Sequence, residues 1–195
     1  MVAGNAYLGN TVPEITGRTM PCGTQIIATE PLDEDTARQL LPTDRCVEDL
    51  NYLLDYYRLS ADRRLIYGGG VTYGGRDPAS IEAVIRPKLA QTFPALANVK
   101  IDYAWSGNFL LTLNRLPQFG CINDNVYYAQ GYSGHGVTAT HLAGKLIAEV
   151  LAGRNERFDA FANIPHLPFP GGHKLQVPFS ALGAWYYSLR DRLGM

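Results

Sequence analysis

Residues 126–137, Val-Tyr-Tyr-Ala-Gln-Gly-Tyr-Ser-Gly-His-Gly-Val, constrain this chain most. Val126 to Gln130 read as a short buried strand. Glycines follow at 131, 134 and 136, and an apolar helical segment, Thr138 to Leu151, comes directly after. A strand, a glycine turn and a helix together bring free backbone N–H groups and the positive helix end up to an electron-rich ligand group. Glycine lets the backbone approach closely and adopt φ > 0. The order is G-x-x-G-x-G, not the G-x-G-x-x-G of a dinucleotide fingerprint. The turn is therefore expected to cradle something other than a pyrophosphate.

The rest of the chain reads as mixed strands and helices. Thr19 to Ile27 is expected as a strand ended by Glu30-Pro31, and Ala37 to Leu41 as a short helix led by the acidic run 33–35. Asn51 to Leu59 and Arg64 to Gly68 read as a hairpin about the turn Ser60-Ala61-Asp62-Arg63. Asp77 is the expected N-cap of a helix with Pro78 at its first position, and Ile81, Val84, Ile85, Leu89 and Phe93 keep helical spacing. Pro87 predicts a kink or split there. Val99 to Ser106 reads as a strand, and Phe109 to Leu116 as an extended crossing segment. Leu142, Leu146 and Val150, flanked by Ala143, Ile147 and Leu151, predict a largely buried helix stopped by Gly153. Pro165 to Pro178 reads as a loop, and Ala181 to Leu193 as a last amphipathic helix. The pattern predicts an α+β fold, a mostly antiparallel sheet with helices packed on one face.

Gly131-Tyr132-Ser133-Gly134-His135-Gly136 at the head of a C-terminal helix resembles the second flavin-contacting motif of the D-amino-acid oxidase-like FAD-dependent oxidoreductases. Trp105-Ser106-Gly107, Leu113-Asn114-Arg115-Leu116-Pro117, Phe169-Pro170-Gly171-Gly172 and Trp185 to Asp191 extend the similarity over the chain, most closely to the branch that oxidises gamma-glutamylputrescine. The resemblance implies an amine oxidoreductase that transfers hydride from a C–N bond to non-covalent FAD. Its flavin contacts would be Gly131, Tyr132, Ser133, Gly134, His135, Gly136, Val137 and Thr138. Tyr52, Tyr56 and Trp105 are candidates for the substrate pocket. Tyr52, Tyr56 and Tyr57 cannot all face it, because strand neighbours point to opposite sides. No general base is assigned, since the substrate amine can lose its proton to solvent first.

Such enzymes begin with a Rossmann unit carrying G-x-G-x-x-G. Gly68-Gly69-Gly70 and Gly74-Gly75 do not have that spacing, and family members are about twice this length. The chain is expected to be the C-terminal half of a flavoenzyme, inactive alone, whose partner is the missing FAD domain. The expected divisions are 1–10, the end of a FAD-domain strand; 11–121, the substrate-binding domain; 122–153, a strand and helix returning to the FAD domain; and 154–195, a tail and helix. Sarcosine oxidases place a carboxylate-holding lysine two residues after the last motif glycine. Thr138 stands there, which favours an amine over a small α-amino acid. The alternatives are a glycine or D-amino-acid type oxidase or dehydrogenase, and a non-catalytic α+β binding module.

Composition excludes other classes. With 46% hydrophobic and 18% charged residues the chain is globular and poor in surface charge, as an interface with a missing domain would require. A net charge of −1 gives no electrostatic case for nucleic acid or an anionic membrane. No apolar run approaches the ~20 residues of a membrane span, and a cytoplasmic location is expected. Cys22, Cys46 and Cys121 have no metal spacing and read as reduced thiols, so no metal is expected. Ser133 also suggests a hydrolase nucleophile, with Asp159 and His166 or His173 behind it. That elbow requires glycine where His135 stands.

Overall fold

The computed structural model describes residues 1–51, 53–170 and 172–193. After a 3₁₀ turn at Asn5–Tyr7 the elements run α1 (Pro13–Thr16), β1 (Thr19–Pro31), α2 (Glu34–Leu40), β2 (Val47–Glu48), β3 (Tyr56–Leu59), β4 (Arg64–Tyr73) and α3 (Ile81–Thr92). A second 3₁₀ turn, Pro94–Leu96, leads to β5 (Ile101–Thr112), β6 (Gln118–Ile122), β7 (Val126–Gln130), α4 (Gly136–Leu151), α5 (Glu156–Ala162) and α6 (Gly172–Leu193). The fold is α+β, with antiparallel hairpins and helices, as the sequence pattern predicts. The chain forms two compact units. One comprises Met1–Cys22, Tyr73–Gly75 and Asn108–Ser180; the other comprises Gly23–Thr72, Arg76–Gly107 and Ala181–Met195.

The second unit holds most of a five-stranded sheet in the order β2-β3-β4-β1-β5. Arg63, at φ 61°, closes the β3–β4 turn, and Ser60 N–H donates to the Arg64 carbonyl. The register pairs Tyr57 with Tyr67 and Leu59 with Leu65. These residues share a face with Ile27, and α2 and α3 cover it through Ala37, Ile85 and Leu89. Tyr57 stacks on Tyr67 at 5.5 Å and meets the Phe93 ring edge-on at 5.0 Å. Burying Ile85 and Leu89 completely contributes roughly 1.5–3 kcal/mol each.

Several expectations are corrected here. The strand expected over Asn51–Leu59 begins only at Tyr56. The Asp49 carboxylate takes the N–H and side-chain amide of Asn51, which turns the chain instead of extending it. The cap of α3 is Ser80, whose hydroxyl accepts from Ala83 N–H; Asp77 instead accepts from the Ser106 hydroxyl. Pro87 sits inside α3 without splitting it. A proline removes one N–H donor, and the packed face on both sides holds the helix together. The strand expected over Arg64–Gly68 runs on to Tyr73, so Gly68–Gly70 lie within β4.

In the first unit β6 and β7 form an antiparallel hairpin from Gln118↔Gln130 to Ile122↔Val126. Its turn uses Asn123 and Asp124, both at positive φ, which short amide and acid side chains tolerate. Residues 118–121 therefore pair with the strand that follows them. Val2 bridges Tyr128 in parallel. Phe119, Ala129 and Tyr132 pack with Ala143, Leu146, Ile147 and Val150 of α4 and Phe158 of α5. The helix α4 is buried on this stripe only, not largely buried: Val137 is 85% and Leu151 73% exposed. It ends at Gly153, where Arg154 N–H bonds the Glu149 carbonyl and Gly153 N–H that of Val150. The loop expected over Pro165–Pro178 gives way to α6 at Gly172, with Pro178 inside the helix.

Candidate functional site

The turn between β7 and α4 is fixed from beneath. Gln130 is buried and its amide donates to the Ile15 carbonyl at 3.0 Å and to Gln118 Oε1 at 2.9 Å. Gly131 has φ 69°, and a β carbon there would lie 2.6 Å from Thr112 Cγ2. Its N–H donates to Asn5 Oδ1 at 3.1 Å. Ser133 takes φ 54°, unusual for a residue with a side chain, and its contacts supply the compensation. Its N–H bonds the Leu110 carbonyl at 3.0 Å, and its hydroxyl donates to the Gly131 carbonyl at 3.2 Å and lies 3.3 Å from Thr112 Oγ1. Ser133 is buried, and its hydroxyl partners are Thr112 and Gly131. A hydrolase nucleophile needs an open Oγ beside a histidine, so that reading fails.

The motif divides into two halves. Gly131, Tyr132 and Ser133 are buried, and Tyr132 packs edge-on against Phe119 in the core. Gly134, His135, Val137 and Thr138 are exposed, and Gly136 is half-exposed. Gly134 has φ 95° with nothing within 4 Å of where a β carbon would stand. His135 occupies the N-cap of α4 but makes no side-chain cap, and the first turn contains no acidic residue. The leading N–H groups of a helix have no intrahelical partners. This end of α4 thus presents donors and a positive dipole end through open backbone.

Two of the pocket candidates, Tyr56 and Trp105, lie in the other unit on β-strands. Tyr56 is half-buried on β3, with its hydroxyl 2.8 Å from Thr24 Oγ1. Trp105 on β5 is 42% exposed. Tyr52 lies outside the described residues. Sequence reasoning did not single out Asn5, Thr112 or Gln118, which brace the turn. Their only signal was polarity, Thr112 and Gln118 at strand ends and Asn5 in the first 3₁₀ turn. A cavity of about 200 Å³ in the first unit is lined by Asn5, Leu8, Thr16, Thr19, Leu110 and Gln130 among others. Among the described residues, no cluster of His, Cys, Asp and Glu could hold a metal ion, and no helix is long and apolar enough to cross a membrane. The three cysteines are unpaired, and burial pushes the Cys22 thiol up to about 12.

The chain belongs to the FAD dependent oxidoreductase family (DAO), whose model matches residues 1–150. It is 69% identical to the gamma-glutamylputrescine oxidoreductase of Escherichia coli K12 over 196 aligned residues, covering all of this chain and 46% of that protein. It spans about half the length of the curated relatives it matches. Among solved structures, glycine oxidase from Geobacillus kaustophilus superposes with a TM-score of 0.63 at 20% identity, covering 83% of this chain and 43% of that one. L-proline dehydrogenase from P. horikoshii gives 0.62 at 24% identity, covering 80% and 44%. These likenesses establish the shared fold.

Proposed function

We propose that this chain is the substrate-domain half of a FAD-dependent amine oxidoreductase acting on a long, flexible amine of the gamma-glutamylputrescine kind. The observation that carries the reading is the open half of the glycine turn, Gly134 to Thr138, at an uncapped helix end. The empty space where a Gly134 β carbon would stand, and a first turn free of acidic side chains, fit a flat, electron-rich ring edge laid against the backbone. Flavin, when bound non-covalently there, supplies the hydride acceptor.

The chain's own residues do the rest. The N–H groups of Gly136, Val137 and Thr138 and the α4 dipole stabilise negative charge at the turn. Gly131, Tyr132 and Ser133 hold the turn's shape from the buried side. Tyr56 and Trp105 offer an apolar body and a polar tip to an alkyl amine. Thr138 carries no charge, so a carboxylate beside the reacting carbon finds no cation on this turn. In this reading residues 1–10 and 122–153 belong with the FAD domain, and the remaining length of the relatives supplies the adenosine and pyrophosphate contacts.

The test is hydrogen peroxide release, or dye reduction, by a full-length enzyme containing this sequence, across a matched panel of amines and amino acids. Gamma-glutamylputrescine and other long amines are expected to be the preferred substrates. A clear preference for glycine, sarcosine or D-alanine refutes the substrate assignment.

A further inference from the structure

Within the sheet unit, α2 and α3 cover one face, and Tyr56 stands on the other. Its register partner on β4 is Gly68. A β carbon at Gly68 would fall 2.5 Å from Tyr56 Cζ and 2.8 Å from its hydroxyl oxygen, far inside contact distance. The tyrosine ring therefore lies down across the glycine and fills the space that a side chain would take. On the next strand, Thr24 of β1 meets the same hydroxyl at 2.8 Å. The neighbouring Tyr57 is locked into the opposite face by Tyr67 and Phe93, so β3 cannot slip by one residue and exchange the two tyrosines.

We infer that Thr24 and Gly68 are positioning residues that hold Tyr56 as a fixed wall for the substrate's alkyl chain and polar end. The inference rests on the proposed amine oxidoreductase activity. A phenol has one donor hydrogen and two acceptor lone pairs, so the bond to Thr24 leaves hydroxyl capacity for a ligand. One ring face lies against the backbone at Gly68, and the half-buried ring keeps part of its surface open. A ring already fixed in place loses little rotamer freedom when a substrate arrives, which strengthens binding without altering the chemical step. Two small residues on neighbouring strands thereby set the affinity through a third.

The experiment uses the full-length flavoenzyme with gamma-glutamylputrescine, reading KM, kcat, flavin content and melting temperature for Y56F, T24V, T24S, G68A and the T24V/Y56F pair. T24V and G68A are expected to raise KM about fivefold to tenfold, the scale of one hydrogen bond, with kcat and flavin content changed less than twofold. T24S should restore the KM, since serine keeps the hydroxyl. T24V/Y56F should be no worse than Y56F alone. If Y56F raises KM while T24V and G68A leave it unchanged, the positioning role is overturned and the pocket assignment survives. If Y56F leaves KM unchanged in an active enzyme, the Tyr56 hydroxyl and its bond to Thr24 do not govern substrate affinity, and the inference fails. An enzyme that oxidises no amine refutes the underlying activity instead. Should T24V not fold, G68A and T24S decide the question, because they act on the same ring from different strands.

Discussion

Three glycines in one turn perform three separable jobs. Gly131 needs both its left-handed backbone and the absence of a side chain, because Thr112 occupies the place of a β carbon. Gly134 needs only the backbone conformation; its surroundings are open. Gly136 needs neither within this chain, since the nearest atom to its β-carbon position is Tyr132 Cβ at 3.8 Å. Gly131→Ala should therefore lower unfolding free energy by about 3 kcal/mol, combining left-handed strain of roughly 1–2 kcal/mol with overpacking. Gly134→Ala should lower it by about 1–2 kcal/mol. Gly136→Val should barely change the denaturant midpoint of the chain. In the full-length enzyme, however, it should reduce bound flavin, read from absorbance per mole of protein, if the turn holds the ring as proposed. Unchanged flavin content in Gly136→Val contradicts the cofactor placement.

At the level of elements, the cap of α3 shows what a sequence does and does not reveal. Asp77 followed by Pro78 satisfies every local rule for a helix start, yet Ser80 caps. Both residues are competent acceptors, and the choice depends on where the strand geometry delivers the chain. Asp77 is engaged by Ser106, 29 residues away. Ser80→Ala is expected to cost about 1 kcal/mol in chemical unfolding, and Asp77→Ala less than half of that. The reverse order would show that the chain caps at Asp77 in solution. Elements with a strong period or a paired turn were legible: β1, the β3–β4 hairpin about Arg63, and α4. Short pieces were not. The two-residue β2 exists only through pairing to β3, and α5 only because Phe158 enters the hydrophobic cluster of the first unit. The candidate turn was legible as strand, glycines and helix, but not its division into buried and open halves. That division depends on Asn5 reaching Gly131 across 126 residues and on Thr112 packing beneath it. Local pattern carries no record of either contact.

For the whole molecule, the informative feature is apolar surface. Val137 and Leu151 are exposed on α4, and Leu175, Phe179, Leu182 and Trp185, the last 67% exposed, stand on α6. Exposed apolar side chains on a helix are candidates for contact with another chain or domain. The chain spans about half the length of its curated relatives, and those faces lie on elements that a remaining half could cover. The 195-residue chain on its own is expected to purify colourless and to enhance the fluorescence of an apolar dye such as anilinonaphthalene sulfonate. The full-length enzyme should be yellow and should bind less dye per mole if the remaining half covers these side chains. The two readouts are linked only if the cofactor and the second half dock together. A chain that purifies yellow, with flavin near stoichiometric, would show that residues 1–195 hold the cofactor unaided. Equal dye binding by the short and full-length proteins would show that these apolar faces are not where the halves meet.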